Sequence, residues 1–308
     1  MLTIATQIVN PISPFDFGLS AMIFSDGNPE IRKYENGKFW QVISVQGKLI
    51  LTTIAAAGTV EEPKLQVKLK SNEKITGCDK EKAEEIVRVL FNLDFDVKPF
   101  YEHVRKDSVM AGLAQRLRGL KSPTTPTVFE ALIDSIVEQQ ISLSISNKME
   151  EVLIKSFGKV LRLNKKIYYA FPTPQELASA SPHKLRNCGL SQRKAEYIRD
   201  ISKMIIEGKL DLEKLKDHEE ANDIIIELDK IRGIGTWTAE LTLVRGMQRL
   251  EAFPADDIGL RRVISHYYCN DRKISSEKAR RIAENWGKWK GLAAFYLIVA
   301  REMDVNIP

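Results

Sequence analysis

Between two runs of helix-spaced apolar residues the chain places Gly233-Ile234-Gly235, and this turn narrows the possible folds more than any other stretch. On one side Ile224, Ile225 and Leu228 share a helix face; on the other Ala239, Leu243 and Gly246 do. Helices joined by so few residues must reverse, and glycines enter the positive-φ region without a Cβ clash. The stretch reads as helix, tight turn, helix, with Thr236 opening the second helix. Such a turn leaves the first N–H groups of that helix free and points the positive end of its dipole outward, which makes an anion site. On these residues alone, a helix hairpin inside a helical core accounts for the pattern as well.

The residues beyond the turn are more specific. After Gly246 a spacer leads to Phe253-Pro254-Ala255-Asp256-Asp257, then to an amphipathic run with Leu260, Val263 and Ile264. Asp257 stands where an N-cap would stand, and capping is its simplest role. Taken together, Gly-Ile-Gly with Thr238-Ala239 after it, the spacer, and Pro-x-Asp-Asp with Arg262 beyond resemble the helix-hairpin-helix, Gly/Pro-rich loop and aspartate signature of a DNA glycosylase superfamily (HhH-GPD). Within it the chain is similar to the 3-methyladenine DNA glycosylase II branch. The likeness runs from about residue 95 onward and more loosely at the start, where Pro14-Phe15-Asp16-Phe17 looks like the branch's opening segment.

The resemblance implies a monomer that binds double-stranded DNA carrying a damaged base. By register Asp257 falls at the catalytic aspartate, with Asp256 the alternate. Gly233, Gly235, Thr236 and Thr238 fall at the DNA-binding hairpin, and Gln140 at the residue that fills the gap left by the extruded nucleotide. Trp289 matches the position that stacks on the flipped base, Trp237 another pocket position. Leu241 stands where some relatives carry a pocket tyrosine. Relatives that also cleave the backbone carry a lysine nucleophile at the position of Trp237. Tryptophan there implies a monofunctional enzyme without lyase activity. No cofactor is implied as required, although carbonyls before the turn bind a monovalent cation, Na or K, in relatives; by register these are Asp229, Ile231 and Gly233.

Composition agrees with this class. Residues 1–105 hold 13 Lys and Arg against 14 Asp and Glu, whereas the remainder holds 33 against 27. The basic excess therefore lies in the second part, which fits nucleic-acid binding there, although excess lysine is also common on solvated surfaces. No apolar run reaches the ~18–20 residues of a membrane span, and the start lacks the basic residues of a signal peptide. A soluble protein is expected, cytoplasmic at the nucleoid in a prokaryote or nuclear in a eukaryote. Cys78, Cys188 and Cys269 are too few for a four-thiolate iron–sulfur site. Neither they nor the scattered histidines have metal-ligand spacing.

The patterning divides the chain into an α+β arrangement. Residues 1–105 read as an antiparallel sheet with a packed helix. Strands are expected over 2–9, 37–45, 48–57 and 64–70, with a hairpin turn at Gln46-Gly47 and a helix over 79–93. Residues 106–308 read as a larger all-α domain. Its helices include 108–117 and 128–140, others starting at Ser142, Thr173, Ser181 and Ser191, and a C-terminal one entered by Trp286 and Trp289, one of which is expected in the core. Arg193 and Lys194 lie near a helix start, where a phosphate contact and a solvated face are both open.

The function implied is excision of alkylated purines such as 3-methyladenine and 7-methylguanine. Hypoxanthine or 8-oxoguanine are the alternatives within the enzyme class. A non-catalytic hairpin module would need the turn and the charge, but neither Asp257 nor the tryptophans.

Overall fold

A computed structural model of the chain describes residues 2–305. Its first part is a five-stranded sheet in the order β1-β5-β4-β3-β2. The strands are β1 (Thr3–Val9), β2 (Arg32–Glu35), β3 (Lys38–Val45), β4 (Lys48–Ala56) and β5 (Leu65–Ser71), all paired antiparallel. Period two decides the faces: Leu65, Val67 and Leu69 are buried while Gln66 and Lys68 are exposed. A short helix, α1 (Phe17–Ala21), and α2 (Gly77–Leu90) supply Phe17, Ala83, Val87 and Leu90 to the same core. Helix α2 starts two residues before the expected 79 because Thr76 and Asp79 form a capping box. The Thr76 N–H donates to the Asp79 carboxylate at 2.7 Å and the Asp79 N–H to the Thr76 hydroxyl at 3.2 Å. Strand β2 lies outside the expected strands, yet Asn36-Gly37 announces it: both residues take positive φ, 51° and 71°, as a two-residue hairpin turn requires.

The second part is helical except at one place. After α3 (Lys98–Val104), α4 (Ser108–Arg116), α5 (Val128–Glu138) and α6 (Leu143–Phe157) comes a hairpin of β6 (Val160–Leu163) and β7 (Lys166–Tyr169). The all-α expectation is corrected here. Asn164 and Lys165 turn the chain at φ 45° and 67°, and Leu161 and Leu163 then cover Val42 and Leu51 on the sheet face that α2 leaves open. The remaining helices are α7 (Pro174–Ser179), α8 (Pro182–Arg186), α9 (Gln192–Ile206), α10 (Ala221–Asp229), α11 (Thr236–Gly246), α12 (Ile258–Tyr268), α13 (Ser276–Ala283) and α14 (Lys290–Glu302).

These helices bury their apolar faces in two separate groups. One core joins residues of α5 to α11; the other joins α3, α4, α12, α13 and α14 with Phe253. Leu93 belongs to the sheet core and Val97 to the second helical core, so α3 packs with the C-terminal helices. Two cations tie the sheet to the helices. Lys121, fully buried, donates to the carbonyls of Ile12 (2.8 Å) and Leu93 (3.1 Å). Arg32 reaches from β2 to Glu130 (3.0 Å), Asp134 (3.6 Å) and Glu150 (2.6 Å).

Candidate active site

Helices α10, α11 and α12 build the site at the seam between the two helical groups. Between α10 and α11, Gly233 takes φ 96°, and a Cβ there would lie 2.3 Å from the ring of Tyr197. Backbone conformation and space both demand glycine. Gly235 differs from expectation. It is extended, at φ −106° and ψ 176°, and a Cβ there would meet nothing. Its service is chemical, since as N-cap it has no side chain to occupy the first N–H groups of α11. Gly235 and Thr236 are exposed, so these donors face outward as an anion site.

Trp237 and Asp257 meet across the seam. The indole Nε1 donates to Asp257 Oδ2 at 3.3 Å, while Asp257 Oδ1 accepts the Leu260 N–H at 2.7 Å as the N-cap of α12. The carboxylate is thus half-buried and held on both oxygens, with the helix dipole favouring its charge. Asp256 is turned away: it is exposed and lies 3.8 Å from Arg280. Arg280 also donates to the buried Glu240 at 2.8 Å and to the Phe253 carbonyl at 3.2 Å. It therefore fixes the loop that delivers Asp257, a role the sequence did not disclose. Burial raises the Glu240 carboxyl against the pull of Arg280.

The other residues singled out fall into two places. Thr238 is buried, and its hydroxyl accepts Gln139 Nε2 at 3.0 Å; the same amide donates to the Gly233 carbonyl at 2.8 Å. A phosphate contact from Thr238 is therefore left to its N–H. Gln140, next in the chain, is exposed at φ 57°, and the Gln139 amide links its turn to the hairpin. Leu241 is buried one turn along α11 from Trp237. Trp289 lies on the other helical group, half-buried, with Phe95 at 5.7 Å, Phe100 at 6.4 Å and Lys288 Nζ 4.9 Å above its ring. Trp286 is the core tryptophan, fully buried, its Nε1 donating to Asp107 at 3.2 Å.

Lys194 is neither a phosphate contact nor a solvated helix start: it is buried and donates to two backbone carbonyls, Val137 and Gln139. Ile231 and Gly233 carbonyls each accept one bond, from the Ile234 N–H and from Gln139, which leaves each a second lone pair. The Asp229, Ile231 and Gly233 oxygens are neutral donors of the kind a hard monovalent cation takes. Among the described residues no set of three or more His, Cys, Asp or Glu could hold a metal ion. Cavities of about 260 Å³ (around Glu240 and Arg280) and about 550 Å³ (around Leu210, Lys230 and Ile231) are not lined by Asp257 or Trp237.

Comparison with known proteins identifies the family. The family model described as HhH-GPD superfamily base excision DNA repair protein matches residues 133–288, which include the hairpin, Asp257 and Trp286. A DNA-3-methyladenine glycosylase of Bacillus subtilis is 35% identical over 224 residues, covering 70% of this chain and 72% of its own. The structure of a 3-methyladenine DNA glycosylase from Archaeoglobus fulgidus superposes with a TM-score of 0.84 at 27% identity, covering 97% of this chain and 100% of that one. A Clostridium acetobutylicum 8-oxoguanine glycosylase/lyase shares the fold, with a TM-score of 0.75 at 23% identity, covering 99% of each chain. With half of its length inside the family model and a hairpin, loop and aspartate arranged as one site, this chain belongs to the HhH-GPD superfamily of base excision DNA repair proteins.

Proposed function

We propose that this DNA glycosylase is monofunctional and releases N-alkylated purines, of the 3-methyladenine and 7-methylguanine type, from double-stranded DNA as a monomer. The observation that carries the reading is the Trp237–Asp257 pair: a carboxylate oriented at a helix start, with an indole where a lyase would need an amine.

The steps derive from the chemistry of the bond. A base inside a duplex is out of reach, so the nucleotide is turned out at a cost of roughly a few kcal/mol. Phosphate held by the free N–H groups of α11 sets the register, and Gln140 enters the gap. The bond between the sugar C1′ and the purine nitrogen breaks with its electron pair leaving on the base, and positive charge develops on the sugar. The ionised Asp257 stabilises that charge and takes the proton of the water that adds to C1′. An N-alkylated purine is already cationic and leaves as a neutral base, so no strong general acid is needed. Trp237 and Trp289 offer π faces for such a cation, a preference of ~0.5–2 kcal/mol. A monovalent cation on the Asp229, Ile231 and Gly233 carbonyls would add positive charge beside the bound phosphate.

The test is base release from duplexes carrying single lesions: 3-methyladenine, 7-methylguanine, 1-methyladenine, hypoxanthine and 8-oxoguanine. Scission is scored before and after hot alkali. Alkylated bases released with scission only after alkali is the expected result. Release of 8-oxoguanine alone, with scission before alkali, would overturn both the substrate class and the argument from Trp237. Binding without release would leave a non-catalytic module.

A further inference from the structure

We propose that Lys194 is a positioning residue for base extrusion, fixing the last turn of α5 so that Gln140 stands at a set distance from the phosphate-binding N–H groups of α11. The proposal rests on the reading of Gln140 as wedge and of the hairpin as phosphate site.

The end of a helix leaves carbonyls without partners, and these must be satisfied when buried. At the end of α5 they are met one by one. The Ile136 carbonyl accepts the Gln139 N–H at 3.3 Å and the Glu138 carbonyl the Ile141 N–H at 3.4 Å. The Val137 and Gln139 carbonyls accept Lys194 Nζ, at 2.8 Å and 2.7 Å. Lys194 comes from α9, an element distant in sequence, and is only 8% exposed, so its ammonium is a fixed strut and not a solvated chain. A cation at a helix C-terminus is also favoured by the dipole.

What the strut holds is an uncommon backbone. Gln140 takes φ 57°, a conformation that an L side chain adopts only when its surroundings impose it. Two ties impose it here: Lys194 from below, and the Gln139 side chain laterally to Gly233 and Thr238.

The same helix also supports the second turn. Three residues on from Lys194, Tyr197 packs its ring against Gly233, and Glu196 pairs with Arg232 at 3.1 Å. Helix α9 therefore carries both DNA-facing turns on adjacent side chains. Since extrusion requires wedge and phosphate clamp to act on one nucleotide, their separation must be held to a fraction of an ångström.

Lys194→Met keeps the length of the chain and removes the donors. Single-turnover base release at saturating enzyme, so that affinity does not enter, separates positioning from simple damage. On a matched duplex the rate should fall by about tenfold or more. On a duplex in which the lesion faces an abasic gap, where turning out costs little, it should stay within about threefold of wild type. Lys194→Arg retains donors and should recover part of the matched-duplex rate.

An equal loss on both substrates, or no loss on either, would overturn the proposal. If melting shows that Lys194→Met does not fold, Lys194→Gln, which is shorter and can reach at most one of the two carbonyls, is judged by the same two substrates and the same two outcomes. Wild-type protein inactive on both duplexes would instead bring down the glycosylase reading, and this proposal with it, a result distinct from a substrate-independent loss in the variant.

Discussion

Trp237 donates its indole N–H to Asp257 across the seam between two separately packed helical groups, at 3.3 Å. The bond joins the hairpin that would hold DNA to the carboxylate that would act on the sugar. The two residues it joins can be separated experimentally. Asp257→Asn keeps an oxygen for the Leu260 N–H but loses the charge. Base release should fall by roughly 10²–10³ or more while binding to damaged DNA is retained, as loss of an electrostatic stabiliser predicts. Trp237→Phe keeps a ring and loses the donor. Its single-turnover rate should fall by only about tenfold. A Trp237→Phe loss as deep as that of Asp257→Asn would show that the indole does more than orient the carboxylate.

The two hairpin glycines make opposite predictions. Gly233→Ala combines a left-handed φ of 96° with a Cβ 2.3 Å from the Tyr197 ring, and should cost about 2–4 kcal/mol of stability, read in a denaturant melt. Gly235→Ala meets no atom and needs no unusual φ, so its melt should fall by no more than about 1 kcal/mol, the cost of alanine at an N-cap. Its effect should appear in DNA affinity, weakened severalfold as a methyl crowds the open N–H groups. An unaltered affinity would move the phosphate away from this helix end.

How much of this is legible in the sequence depends on the kind of signal. Apolar period two and the period of the α-helix locate the sheet, α2 and the hairpin, because both periods are imposed by a core on one side. The capping position of Asp257 is readable because an N-cap is a local device. β2 and the β6–β7 hairpin escape the pattern although Asn36-Gly37 and Asn164-Lys165 mark two-residue turns: β2, β6 and β7 are each four residues long, too short for alternation to stand out. The roles of Lys194 and Arg280 leave no such trace. Each acts by reaching an element far along the chain, Lys194 to carbonyls 55 and 57 residues back, Arg280 to Glu240 40 residues back. No spacing rule encodes such a meeting.

Trp286 and Trp289 lie three apart but on different duties, and truncation should separate them. Trp286 is fully buried against Phe253 and Tyr268, and shares the Asp107 carboxylate with the Tyr268 hydroxyl, which donates at 2.8 Å. Trp286→Ala should destabilise by about 3–5 kcal/mol, visible in thermal unfolding without DNA. Trp289 is half-buried. Trp289→Ala should cost less in the melt and more in release of a cationic base, with the loss smaller for neutral hypoxanthine. A loss equal for both bases would remove Trp289 from the pocket.

The contact between sheet and helices should be sensitive to pH, and the sign comes from counting charges. Arg32 on β2 is enclosed by Glu130 and Asp134 of α5 and Glu150 of α6, while Glu138 farther along α5 is paired with Arg245 of α11 at 2.6 Å. The pit around Arg32 thus holds three carboxylates for one cation, and Asp134 Oδ1 has no hydrogen-bond partner. Burial lifts the Glu130 carboxyl to about 7, with Arg32 opposing and Glu150 adding to the rise. Burial, then repulsion from Glu150, raises Asp134 well above the usual carboxylate range. Because these groups hold protons in the folded chain that the unfolded chain has lost, their stabilisation is complete below the unfolded pKa of about 4 and falls as pH rises through about 7. Asp134→Asn removes one of the titrating charges. Its unfolding free energy should decline less between pH 5 and 8, by on the order of 1–3 kcal/mol, and equal or exceed wild type at the upper end. Arg32→Met leaves the carboxylates without their cation and should cost about 3–5 kcal/mol near neutral pH, much less at about pH 4.5 where they can protonate. Parallel pH profiles for wild type and Asp134→Asn would show that this pit does not titrate in the range.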